Sequence, residues 1–243
     1  MKALIKAEMI RLYKNKLFII GNILAFLITV GFCKYFNTVR PTQSGINNFY
    51  ANCVSLGIMA FSSLFTALFI GEQYMGGAIR NKIIAGHKQK EIFIALMIAI
   101  FAGVVTTTIC WFAGCLVAGY KLEVYTIKCI LVILFASIAY AGILTAVSMR
   151  VKNVGIASGI TIGLFFVSFN AAVFVHAAYV WAESSTSMLW KVLLDMMPFG
   201  QWFAIFARDG SDLPLAVMLL ISLGTIVLSY LIGTIGLNKR ELN

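Results

Sequence analysis

Six long apolar runs dominate this chain, at 17–36, 49–70, 92–118, 126–149, 154–181 and 214–237, with shorter polar or charged stretches between them. Each approaches or exceeds the roughly 20 apolar residues a helix needs to cross the hydrocarbon core. The third and fifth are longer than that and have length to tilt or protrude. Every backbone polar group inside a bilayer must be satisfied locally, which makes helices the default. A β-barrel would alternate apolar and polar residues in segments of about ten. These runs are continuously apolar, so the pattern predicts an all-α integral membrane protein with six transmembrane helices in one domain, 1–243.

The polar stretches have patterns of their own. Residues 1–16 mix Leu4, Ile5, Met9 and Leu12 with Lys2, Lys6, Arg11 and Lys14. Two readings fit: an interfacial helix, or a plain basic flank that fixes topology. The flank is too long and basic, and the run after it too long, for a cleavable signal, so the segment is expected to be retained. Before the last run, 182–213 opens on Ser184, Ser185, Thr186 and Ser187, a loop or helix cap. A short helical pattern follows, broken by Pro198 and Gly200, and then the aromatic piece QWFAIFA. Asp209, Gly210 and Asp212 lead into Pro214, a good helix opener. Two short apolar helices with a break fit a re-entrant outer hairpin or an amphipathic cap resting on the surface.

The stretch 71–91, GEQYMGGAIRNKIIAGHKQKE, is a charged island between the second and third runs. Met75, Ile79 and Ile83 recur every four residues with Ala78 beside them, one apolar stripe on a helix. Arg80, Asn81 and Lys82 project elsewhere. Gly76–Gly77 predicts a bend and Gly86 a stop, with Lys88 and Lys90 beyond it. From the residues alone this is either a helix lying on anionic headgroups or an element that docks a partner.

Composition agrees with the pattern. Hydrophobic residues make up 61% of the 243, charged residues 12%, and mean hydropathy is +0.94, against about a quarter charged in a soluble domain. The net charge of +10 is informative through its distribution. Thirteen Lys and Arg fall on the side shared by 1–16, 71–91, Arg150, Lys152, Lys239 and Arg240; six fall on the other, at Lys34, Arg40, Lys121, Lys128, Lys191 and Arg208. The positive-inside rule then puts both termini in the cytoplasm of a multi-pass protein of the cell membrane. No basic face interleaved with aromatics points to nucleic acid. The five cysteines, Cys33, Cys53, Cys110, Cys115 and Cys129, lack C-x-x-C spacing and read as small packing residues.

The chain has no G-x-x-x-x-G-K-[ST], H-E-x-x-H or G-x-S-x-G motif, and His87 and His176 stand far apart. Catalytic, cofactor and metal residues are therefore not expected. No carboxylate lies inside an apolar run, which argues against the membrane-depth ionisable group of an ion-coupled transporter. Small and hydroxylated residues do occur there, among them Ser62, Ser63, Thr66, Ser168 and Asn170. They serve helix packing or line a mildly polar path for an amphipathic substrate along the second and fifth runs.

Glu72, Gly76–Gly77, Ile79-Arg80-Asn81-Lys82, Gly86 and Lys88–Lys90 together resemble the loop between spans two and three of type-2 ABC exporter membrane subunits. The start, KALIKAEMIRLYKNK, is similar to that family's elbow helix, and GLNKRELN to its short basic tail. The six-span plan matches over essentially the whole chain; Lys88-Gln89-Lys90 departs from the Ser/Arg-type residues common there. The resemblance implies that 72–86 is a coupling helix, with Glu72, Met75, Ile79, Arg80, Asn81, Lys82 and Ile83 meeting a separate ATPase. It implies two ATPase copies, which hold the ATP and Mg, and a second permease, identical or paralogous. It also implies export of an amphipathic substrate such as an antimicrobial peptide, or resistance to one. The alternative is a self-contained channel or secondary transporter.

Overall fold

The computed structural model describes residues 1–39, 44–120, 124–182, 184–206 and 214–235. Helices make up the architecture, and no strand occurs among the described residues. In chain order they are α1 (Lys2–Lys14), α2 (Lys16–Val39), α3 (Ser44–Met75), α4 (Ala78–Ile84) and α5 (Gln89–Val117). They continue with α6 (Val124–Ser148), α7 (Val154–Trp181), α8 (Ser184–Met196), α9 (Pro198–Phe206) and α10 (Leu215–Thr234). Six of them, α2, α3, α5, α6, α7 and α10, are long and apolar enough to cross a membrane. The chain is a multi-pass membrane protein by this measure.

The expected spans and the helices agree in order and number. They differ at ends: α2 continues to Val39 and α3 runs from Ser44 to Met75, past their apolar runs, while α10 covers Leu215–Thr234, within the expected 214–237. Helical hydrogen bonding does not require apolar side chains, so α3 runs on through Gly71–Gln73 until glycine stops it. The basic tail with Lys239 and Arg240 lies outside the described residues, as do Arg40, Lys121 and Arg208.

The centre of the bundle is α3, α5 and α6; α2, α7 and α10 are peripheral and expose most of their length. α6 packs against α10, α3, α5 and α9, while α2 lies against α3 and α5. Close crossings use glycine: a Cβ on Gly71 would meet Val154 Cγ2 at 2.6 Å, and one on Gly233 would meet Phe93 Cζ at 2.4 Å. Small residues at such crossings let backbones approach where no hydrophobic force drives helices together. Hydroxyls inside the bundle mostly bond to their own helix, as Thr107 Oγ1 does to Gly103 O at 3.0 Å.

α8 and α9 form a hairpin packed among α6, α7 and α3. Phe199 meets Tyr140 edge-on with ring centroids 4.8 Å apart. Tyr140 lies past the midpoint of α6 from its N-terminal end. Trp202 Nε1 lies 2.8 Å from Ser55 Oγ and 3.2 Å from Asn52 O on α3. Gln201 Nε2 donates to Asp195 O and Met218 O, and Ser222 Oγ donates to Gln201 Oε1 at 2.8 Å. These bonds from Gln201 and Trp202 to α3, α8 and α10 tie the hairpin into the bundle.

Candidate functional site

The end of the bundle shared by α1 and α4 carries the site. α4 is short because glycine frames it. Gly77 at φ 65 turns the chain out of α3, and Gly86 at φ 90 closes α4. Gly86 N–H bonds to Ile83 O at 2.9 Å and His87 N–H to Lys82 O at 3.0 Å, the paired bonds of a Schellman stop. α5 starts at once, with Glu91 accepting from the Lys88 backbone N–H at 3.3 Å. His87 Nδ1 stands 3.6 Å from the Glu91 carboxylate.

The break at Gly76–Gly77 changes the expected stripe. Residues Glu72–Met75 belong to the last turn of α3, and the helix expected over 72–86 is only Ala78–Ile84. Ile79 is buried and Ile83 packs against the core, but Met75 is 69% exposed. A period counted through the glycine pair does not hold across it.

Lys82 is the second departure. It was expected to project away from the stripe, and it turns inward instead. Its ammonium bonds to Glu8 Oε1, and lies 2.6 Å from Gln73 Oε1. Gln73 Nε2 donates to Glu8 Oε2 at 2.8 Å, and Arg11 stands 3.8 Å from the same carboxylate. Lys82 follows Ile79 by three positions, at the border of the apolar face, and its stem is long enough to snorkel underneath. Burial pushes the Lys82 ammonium below its usual range, and the bond and charge of Glu8 oppose that push.

Glu8 itself is 1% exposed. It sits between Leu4 and Leu12 on the buried face of α1, which lies along α5. Leu12 packs over Gly103, and Tyr13 Oη reaches Thr106 Oγ1 at 3.0 Å. One carboxylate therefore ties α1, the end of α3 and α4 into a unit. On the other side, Glu72, Arg80 and Asn81 are exposed, together with Met75 and Ile84. Ile84, 74% exposed, stood outside the four-residue stripe and was not among the expected contacts. The surface is a charged patch with two apolar tips, of the kind a protein groove can grip.

No family model and no curated protein matches the chain. What the patch does is therefore read from its own chemistry.

The five path candidates lie on two helices, α3 and α7. Ser62, Ser63 and Thr66 are buried on α3; Ser62 Oγ bonds to Ile58 O at 2.7 Å, and Ser63 Oγ to Met59 O at 2.9 Å beside Tyr140 Oη. Ser168 is half-buried on α7, and Asn170 is exposed with its amide returned to Phe166 O at 2.8 Å. A cavity of about 210 Å³ lies elsewhere, between α2, α3 and α5, with apolar walls that include Leu24, Ile28, Phe61 and Trp111.

The interior is also less free of carboxylates than the runs imply. Asp195, placed by sequence at the end of a short segment, is 1% exposed inside the α8–α9 hairpin. Among the described residues no group of three or more His, Cys, Asp or Glu could hold a metal ion.

Proposed function

We propose that this chain is the membrane subunit of an ATP-driven exporter that works with a separate ATPase. In this reading α4 is the coupling helix, α1 an elbow helix in the interface, and α8–α9 a re-entrant hairpin. The observation that carries it is the two-sided character of α4. One side is clamped to α1 and α3 through Lys82, Glu8 and Gln73; the other presents Arg80, Asn81 and Ile84. A helix that only rested on headgroups would need no such clamp. A push on the outer face of α4 reaches α1 and α3 together, and α1 hands it to α5.

The remaining parts follow. The basic end faces the cytoplasm of the cell membrane, with both termini there. ATP and Mg bind to two copies of the partner ATPase, and a second permease, identical or paralogous, completes the transporter. Gly155, Gly159 and Gly163 support that second subunit: they recur every four residues on an exposed face of α7, and nothing lies within 4 Å of a Cβ on Gly159 or Gly163. The substrate class is an amphipathic or hydrophobic molecule, a peptide first, because the surfaces offered at membrane depth are apolar. The depth of Phe199 beside Tyr140 supports a hairpin that dips into the bilayer rather than resting on it.

A photo-reactive residue at Asn81, irradiated in intact cells, is expected to cross-link to a polypeptide with a nucleotide-binding P-loop, and one at Thr38 is not. Equal yields at both positions would contradict docking by α4.

Asp195 favours a second reading, a channel or ion-coupled transporter, since carboxylates inside membrane bundles often mark ion routes. Liposomes holding the purified chain alone distinguish the two. Flux of protons or sodium without ATP, lost in Asp195→Asn, supports this second reading; tight liposomes support the exporter.

A further inference from the structure

At the end of the bundle opposite α4, α2 and α5 share one tight seam. A Cβ on Gly114 would lie 2.9 Å from Thr29 Cβ and 3.0 Å from Phe26 O, so glycine alone admits this approach. One turn along α2 from Thr29 comes Cys33, and the residue after Gly114 on α5 is Cys115, so the seam sets the two cysteines side by side. A turn further, Asn37 Nδ2 donates to Ala118 O at 3.1 Å. The end of α5 is fixed there by Gly119 at φ 92, with Gly119 N–H on Leu116 O and Tyr120 N–H on Cys115 O. Cys33 is 3% exposed and Cys115 is fully buried.

Cysteines scattered through spans are ordinarily small packing residues. This pair differs because contacts on either side of it hold the two helices in register. A disulfide needs Cα atoms roughly 4.4–6.8 Å apart, a separation that helices meeting across a glycine reach. The geometry points to Cys33 and Cys115 as a dithiol that closes into an intrachain disulfide and staples α2 to α5.

The oxidant is a disulfide. One cysteine thiolate attacks a sulfur of the oxidant and expels a thiol, leaving a mixed disulfide. The second thiolate attacks the protein sulfur of that mixed disulfide and expels the second thiol. The two cysteines lose two electrons and two protons, and the oxidant leaves as two thiols. Both sulfurs are buried away from a dissolved oxidant, so closure is slow and waits on opening of the seam. The same burial then shields the finished bond from reductants. The proposed topology turns this end toward the oxidising exterior; the pairing itself does not depend on that topology.

The test uses the full chain purified in detergent and treated with 4,4′-dithiodipyridine, a small aromatic disulfide, with the remaining thiols alkylated under denaturing conditions. Of the five cysteines, Cys33 and Cys115 are expected to appear in one cross-linked peptide pair by mass spectrometry, while any other cysteine the reagent reaches stops at the mixed disulfide. Cys33→Ser and Cys115→Ser each abolish that pair, and Cys110→Ser keeps it. The oxidised wild type melts at a higher temperature than the reduced protein, a difference that Cys115→Ser removes. A cross-link from Cys33 to Cys53, the half-buried neighbour on α3, would overturn the proposal. So would a folded, oxidant-treated protein in which both Cys33 and Cys115 are alkylated. Protein alkylated directly in cells separates the two readings: a pair that closes in detergent but is reduced in cells contradicts the topology and leaves the staple standing.

Discussion

Replacing Glu8 with alanine is expected to lower the stability of the purified protein by about 3 kcal/mol and to abolish the proposed ATP-driven export. Removing one partner of a buried ion pair costs roughly 3–5 kcal/mol because the other charge stays behind. The lower end applies here, since the Lys82 side chain keeps 13% of its exposure and Gln73 Oε1 still accepts from it. Thermal melting of the solubilised chain reads the first effect. The double variant Glu8→Leu with Lys82→Met separates stability from coupling. Apolar replacement of both partners is commonly neutral, so its melting temperature should return most of the way. Export should stay lost, because the charged link from α4 to α1 is gone. A double variant that melts normally and exports normally would show that the cluster only holds the fold.

Gly200→Ala is expected to be the most damaging added methyl among the described glycines. Its Cβ would fall 1.7 Å from the Leu194 carbonyl oxygen and 2.6 Å from the carbon, against atoms of backbone that cannot rotate aside. Overpacking typically costs about 1–3 kcal/mol, and this contact exceeds what a side-chain shift can absorb. The hairpin must open, withdrawing Trp202 from Ser55 and Phe199 from Tyr140. Protease cleavage between α8 and α9, with a red shift of tryptophan emission, is the expected signature. An intact hairpin in Gly200→Ala would contradict the close turn at Pro198–Gly200.

Much of this fold was readable because a bilayer imposes one length and one polarity on every span. Continuous apolar runs named six helices, and the Gly76–Gly77 pair named the bend. What periodicity missed were contacts between distant charged residues. Glu8 and Lys82 sit 74 positions apart, each within a stretch whose charges read as solvated. Nothing local says that a basic amphipathic helix will point one lysine inward. Asp195 was obscured in the same way: its burial depends on α9 folding back over α8. Ser62 and Ser63 were legible as polar, but their bonds to their own helix leave them little to offer a substrate. On α4, Arg80 and Asn81 are exposed as expected, while Ile84 replaces Ile79 and Ile83 among the tips a partner can touch.

The central claim is that energy enters this protein through the exposed face of α4. The most direct measurement compares ATP hydrolysis by complexes captured on the tagged chain from its own membranes, wild type against Arg80→Glu. Arg80 is exposed, so the substitution should change melting by little, as surface changes usually do. The account predicts a P-loop ATPase captured with the wild type and hydrolysing ATP, and at least a tenfold loss of both with Arg80→Glu at unchanged chain recovery. A wild-type chain that captures no ATPase from gently solubilised membranes, or an Arg80→Glu chain that keeps its full hydrolysis and export, would contradict it.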